Sequence, residues 1–182
     1  MDVSELFSTL QRERIMKRLL YASSAASFRK TALETKVSPS QVHKYLTILK
    51  KHKLVEGSKL RDSALVRALR LTENLVFLEN ANVLGLVRSK LSGVRGVGLY
   101  GSWANGTNNE KSDIDLWVLV EKQPIDLAVG KARRFLEEKL GKTVDLTILT
   151  PERLKVLKAK NPAFYSSLFN SVKLCGDEIW SV

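Results

Sequence analysis

Three aspartates, Asp113, Asp115 and Asp145, and the dipeptide Gly101-Ser102 are the residue types that phosphate and metal chemistry needs. Asp113 and Asp115 open an apolar run, Leu116 to Val120, that reads as a buried strand. Strand side chains alternate faces, so the two carboxylates share one face and Ile114 between them points into the core. Close carboxylates repel unless a cation lies between them, and hard oxygen ligands of this kind suit Mg²⁺. Gly101-Ser102 end the preceding apolar stretch, where glycine permits close backbone approach and backbone N–H groups can cradle phosphate. The third acid opens another apolar strand, Thr143 to Leu149, after a helical segment over 125–140. Strand, helix, strand is a crossover unit, so these two strands run parallel and bring their opening acids to one sheet edge. The strand ending at Gly101 reaches that edge if it pairs antiparallel with the strand it feeds.

Gly101-Ser102, a ten-residue gap, Asp113-Ile114-Asp115 and a later strand Asp145 resemble the DNA polymerase β superfamily of nucleotidyltransferases. The chain is most similar to the minimal members, whose loop reads Gly-Ser-x-Ala-x-Gly and then Ser-Asp-x-Asp. Gly101, Ser102, Ala104, Gly106, Ser112, Asp113 and Asp115 fill those positions. The resemblance spans about residues 79–180, with the specific motif confined to 99–120 and Asp145. It departs at Asn105, where many relatives carry a basic residue that helps hold a triphosphate.

The resemblance implies transfer of a nucleoside monophosphate from an NTP, ATP being the expected donor, to an acceptor hydroxyl. Asp113, Asp115 and Asp145 would be the catalytic and metal-holding residues, around a pair of Mg²⁺ ions. Asp145 would complete the second ion's site and take the acceptor's proton. Gly101, Ser102 and Ser112 would bind the nucleotide. A domain this short has no room for a template-gripping subdomain, which argues against a polymerase. A partner or a second copy must then complete the acceptor site, and a homo-oligomer is expected. In the minimal family the partner is often a small helical toxin that the enzyme modifies with AMP. The rival readings are a transcription regulator that binds nucleotide as an effector without turnover, and a scaffold that oligomerises a DNA-binding domain.

The rest of the chain must position these groups. Its 182 residues, 44% hydrophobic, hold one large domain or two small ones, with no apolar run long enough for a membrane span. The first residues have neither the basic nor the apolar stretch of a secretory signal. A single cysteine, Cys175, excludes an internal disulfide and fits a cytoplasmic protein, where it is expected as a small buried hydrophobe. Charge is unevenly placed: residues 1–72 carry 15 Lys and Arg against 6 Asp and Glu, which is +9 of the chain's +11. That distribution is expected of one domain facing a polyanion.

In chain order, Ser8 and Gln11 could cap a helix running to about Ala22. Ser27 could cap a second through Thr35, burying Phe28, Ala32 and Leu33. Ser38-Pro39-Ser40-Gln41 is the clearest helix start, a Ser/Gln capping box with Pro at the first helical position. Val42, Tyr45, Leu46 and Leu49 then mark one face as core, and Gln41, Lys44, Lys50 and Lys51 lie outside it. Leu54-Val55 and Leu65 to Leu71 read as short strands of a basic hairpin. This order resembles a winged helix-turn-helix, over about residues 8–72. It implies base contacts from Ser40, Gln41 and Lys44, and DNA-backbone contacts from Lys50, Lys59, Arg61 and Arg67. His43 and His52 lack metal-ligand spacing and read as surface or cap residues.

The junction falls at about 72–82 and is not rich in Gly or Pro, which suits a continuous helix. Val83, Leu86, Val87 and Leu91 mark a helix leading into the sheet. Pro151 and Pro162 start two more, over 152–160 and about 163–174, with Phe164, Tyr165, Leu168 and Phe169 as core. Trp103 and Trp117 flank the acids, as core, as a lid, or, for Trp103, as a surface for a base. The expected fold is therefore α+β in two domains. Residues 1–75 form a winged helix-turn-helix, and residues 76–182 a nucleotidyltransferase-type mixed sheet flanked by helices.

Overall fold

The computed structural model of the chain describes residues 4–22 and 27–180. The chain divides into two compact units, Met1–Glu73 with Asn108–Lys111, and Asn74–Thr107 with Ser112–Val182.

The first unit runs α1 (Ser4–Phe7), α2 (Leu10–Tyr21), α3 (Phe28–Thr35), α4 (Pro39–Lys51), β1 (Val55–Glu56) and β2 (Lys59–Leu60). It closes with the first turns of α5 (Ala64–Asn80), and the division between units falls inside that helix. Its core joins Ile15, Met16, Leu19 and Leu20 of α2 to Val42, Tyr45, Leu46 and Leu49 of α4, with Leu54, Val55 and Leu60 from the hairpin. The Tyr45 hydroxyl donates to the Leu6 carbonyl at 2.7 Å, so burying this phenol leaves no polar atom unpaired.

Side-chain oxygens set the helix starts. Ser27 accepts from the Lys30 N–H and Ser38 from the Gln41 N–H, as the sequence predicts. α2 is capped by Thr9, which accepts from the Arg12 N–H, and not by Ser8; the Ser8 hydroxyl is taken by the Arg12 guanidinium. α3 buries Thr31, Ala32 and Thr35, while Phe28 and Leu33 are exposed, contrary to expectation. The Thr35 hydroxyl donates to the Thr31 carbonyl, so Thr35 can face the core while Leu33 is turned outward. Residues 65–71 are helix rather than strand. Ser63 accepts from the Val66 N–H and starts α5, leaving the hairpin to the tight turn at Gly57-Ser58.

The second unit holds α6 (Val83–Arg88), β3 (Val94–Tyr100), α7 (Gly101–Ala104), β4 (Ile114–Val120), α8 (Asp126–Leu140) and β5 (Val144–Leu149). It continues with α9 (Pro151–Lys160), α10 (Pro162–Ser167), a 3₁₀ turn over Leu168–Asn170 and β6 (Val172–Gly176). The sheet order is β5-β4-β3-β6, with β4 and β5 parallel and the other pairs antiparallel. The fold is therefore mixed α and β around a mixed sheet. One face packs Val97, Leu99, Ile114, Leu116, Val118 and Ile148 against α6 and α8. The other packs Tyr100, Trp117, Leu119 and Leu149 against Leu154, Leu168 and Ile179.

The helix expected over 163–174 stops at Ser167, and Val172–Gly176 is the fourth strand. Its alternating Val172, Leu174 and Gly176 fill the open edge of β3, where Val97 pairs with Cys175 and Leu99 with Val172. Cys175 is half-buried on that strand. Phe164 and Tyr165 are partly buried as expected and Leu168 is fully so, but Phe169 is exposed and stacks on Trp180. Among the described residues no helix is long and apolar enough to cross a membrane.

Candidate active site

The sheet register sets the site. Tyr100 on β3 pairs with Asp115 on β4, and Asp115 pairs with Asp145 on β5. Residues opposite each other across strands point to the same face. Tyr100, Asp115 and Asp145 therefore form one row across three strands, on the face that also carries Trp117 and Leu149. Asp113 lies just ahead of β4, exposed.

Gly101 follows the row with a positive φ of 66°. A Cβ there would lie 2.1 Å from Asp115 Oδ2, so the backbone turn and this carboxylate touch in a way only glycine permits. The Ser102 N–H donates to Asp115 and favours its charged form. Three larger influences oppose it: partial burial, the charge of Asp145 and the charge of Asp113, which together raise the Asp115 pKa above the ordinary carboxylate value.

On the far side of the row the Tyr100 hydroxyl donates to Asp145 Oδ2 at 2.9 Å and lies 3.0 Å from Thr147 Oγ1. Burial pushes the Tyr100 pKa up, so the phenol keeps its proton and remains a donor. Neither Tyr100 nor Thr147 was singled out from the sequence. The signal was present, because Thr147 is two residues beyond Asp145 and Tyr100 immediately precedes the Gly-Ser turn. What was missing was the cross-strand register.

Asp113, Asp115 and Asp145 arrive at one sheet edge as the topology predicts, but with different surroundings. Among the described residues no three Asp, Glu, His or Cys side chains converge as they stand on one cation position. Asp115 is held by Ser102, Asp145 by Tyr100, and Asp113 faces solvent. The donor set nonetheless fits a divalent cation. It consists of hard oxygens, and the charges of Asp145 and Asp113 burden Asp115 in the way that a cation would relieve.

Of the other candidates, Ser112 is half-buried and its carbonyl accepts from Trp103 Nε1 at 3.4 Å. Trp103 is buried on the opposite face, with the Phe77 ring tilted against it and Lys142 above its ring, and is core rather than a stacking surface. Trp117 is also buried. Asn105 ends α7 and is exposed.

In the first unit, Ser40, Gln41 and Lys44 stand exposed on the first two turns of α4, and Lys50 on its last. Lys59 and Arg61 are exposed on and beside β2. Arg67 departs from this group. It sits on α5, where its guanidinium donates to both Asp62 carboxylate oxygens at 2.7 and 2.6 Å. His52 ends α4 and pairs with Glu5, and His43 meets the Phe28 ring edge-on, so neither approaches a metal-like cluster.

The pattern of the family described as nucleotidyltransferase domain matches residues 81–174, just over half of the chain. That span contains the Gly-Ser turn and all three acids. Nucleotidyltransferases of this kind use an NTP and a divalent metal. No protein with a curated description matches. Among solved structures the chain is similar to a toxin–antitoxin with AMP-PNP (24% identity over 54% of this chain and 75% of that one, TM-score 0.45). It is also similar to a tri-AMPylated Shewanella oneidensis HEPN toxin in complex with MNT antitoxin (20%, 56% and 73%, TM-score 0.41). A protein from Sulfolobus solfataricus described as a nucleotidyltransferase is 17% identical, over 60% of this chain and 90% of that one, at a TM-score of 0.38. With the family pattern lying over more than half of its length, the chain belongs to the nucleotidyltransferase domain family and is a transferase enzyme.

Proposed function

We propose that the second unit moves a nucleoside monophosphate from an NTP, with ATP as the favoured donor, to an acceptor hydroxyl. Asp113, Asp115 and Asp145 would hold two Mg²⁺ ions, which supply charge neutralisation for the triphosphate and the acceptor oxygen. Gly101 and Ser102 would take the phosphates through the backbone turn that packs against Asp115, and Ser112 would help to bind the nucleotide. Asp145 would accept the acceptor's proton. Phosphoryl transfer asks the protein mainly for positioning and charge compensation, and these residues offer both. The observation that carries the reading is the row Tyr100–Asp115–Asp145 beside the positive-φ Gly101.

The acceptor we propose is a hydroxyl on a small helical toxin-like protein, as the sequence resemblance implies. That partner, or a second copy of the chain, would complete the site. The first unit would be a winged helix-turn-helix that binds DNA and regulates transcription, with α4 as the base-reading helix and β1-β2 as the wing. Its charge of +9 and the exposed Ser40, Gln41 and Lys44 support this reading.

The test is incubation of the full chain with labelled ATP, Mg²⁺ and candidate partners, beside Asp113→Asn and Asp115→Asn. Each substitution removes a charge where phosphoryl charge develops, so transfer should fall by about 10²-fold or more. Nucleotide binding without turnover on any partner, together with DNA affinity that changes in Asp113→Asn, would favour an effector-sensing regulator instead.

A further inference from the structure

The hydrogen bonds on the site's third strand run in one direction. Tyr100 Oη donates to Asp145 Oδ2 at 2.9 Å, and Thr147 Oγ1 lies 3.0 Å from the same phenol oxygen. A phenol has one proton to give, so with that proton on Asp145 the Thr147 hydroxyl is the donor to Tyr100. The Tyr100 ring cannot swing away. It is 7% exposed, lies edge-on to Phe164 with centroids 5.9 Å apart, and sits in the core made with Trp117, Leu149, Leu154 and Leu168. Asp145 itself is exposed at the start of an edge strand, where a carboxylate otherwise rotates freely.

We propose that Tyr100 is a positioning residue for Asp145: its fixed hydroxyl holds Oδ2 and leaves Oδ1 as the oxygen that meets the cation or the acceptor. Thr147 keeps the phenol proton aimed at the carboxylate. The same residue leads directly into the Gly101-Ser102 turn, so one buried side chain ties the phosphate turn to the third acid. This rests on the reading of Asp145 as a cation-holding carboxylate. Groups that orient a metal-holding side chain typically contribute about 10- to 100-fold in affinity or rate. The NTP is held in the proposed site by Asp113, Asp115 and the turn, so the loss should fall on kcat and on the more weakly held ion, and not on the KM for NTP.

The experiment compares the full chain with Tyr100→Phe, Thr147→Val and Asp145→Asn. Mn²⁺ binding is read by paramagnetic resonance with a non-hydrolysable ATP analogue, and kcat and KM for transfer are read separately. Tyr100→Phe keeps the ring and removes only the hydroxyl. It should retain the wild-type unfolding midpoint and KM, weaken the second Mn²⁺ by about 10- to 100-fold and lower kcat in the same range. Thr147→Val should move both readouts in the same direction by less, and it carries the test should Tyr100→Phe unfold. Wild-type Mn²⁺ binding and kcat in Tyr100→Phe, with Asp145→Asn impaired, would overturn the positioning role alone. Wild-type behaviour in Asp145→Asn would overturn the reading of Asp145, and the role of Tyr100 with it.

Discussion

Gly101 leaves no room for a side chain, because an added Cβ would meet the carboxylate of Asp115 and its φ is 66°. Gly101→Ala therefore meets two obstacles at once: an unfavourable left-handed conformation, costing about 1–2 kcal/mol, and a carboxylate that must move. We expect transfer to collapse together with a modest loss of stability, read by activity and by denaturant unfolding. Gly98→Ala separates the two effects. A Cβ at Gly98 would lie 2.2 Å from the Trp117 indole, in the core beneath the row and without contact to the Asp115 carboxylate. It should cost about 1–3 kcal/mol through overpacking, and because the Gly101 turn and its contact with Asp115 are left in place, the folded fraction should lose less transfer than Gly101→Ala. The acids and the turn were legible in the sequence because their chemistry is local to one loop and two strand starts. Tyr100 and Thr147 were not, because a tyrosine before a turn and a threonine within a strand acquire a role only through the register Tyr100–Asp115–Asp145.

At the level of elements, α4 shows what short-range chemistry can dictate. Ser38 caps it, Gln41 answers the cap, Pro39 fixes the first turn, and the apolar face follows at helical spacing. Ser38→Ala should cost about 1 kcal/mol and weaken any DNA binding by that unit while leaving nucleotide chemistry unchanged. Denaturant unfolding, a DNA titration and a transfer assay on one preparation check it. Where the local pattern is ambiguous, the deciding forces lie elsewhere in the chain. Leu65 to Leu71 suit strand or helix, and helix prevails because Ser63 caps it and the apolar spacing continues through Leu75 and Leu78. Val172 to Gly176 could prolong a helix, but the unpaired edge of β3 takes them as a strand. A strand added at a sheet edge satisfies backbone groups that no local pattern records. The misreading of α3 has a similar cause, since Thr35 can turn inward once its hydroxyl bonds back along the helix to the Thr31 carbonyl.

Over the whole molecule the imbalance of charge makes the sharpest demand. Residues 1–72 carry +9, whereas the acids of the candidate active site all lie in the second unit. Each cation that neutralises a DNA phosphate releases counterions, so log K falls against log salt with a slope of about −0.9 per phosphate contact. For the full chain we expect a steep salt dependence whose slope becomes shallower by about one unit in Lys59→Ala and in Arg61→Ala. Lys44→Ala, which faces base edges in the proposed docking, should also reduce discrimination between sites. Arg67→Ala should matter least, because its guanidinium is already held by both oxygens of Asp62. Asp113→Asn provides the opposite control, a loss of transfer with the salt slope unchanged. If Arg67→Ala proved as costly as Lys59→Ala, DNA would have to displace Asp62, and the contact surface would extend onto α5. If none of the four basic substitutions changed the slope, the positive charge of this unit would be a solvated surface and the DNA-binding proposal would fail.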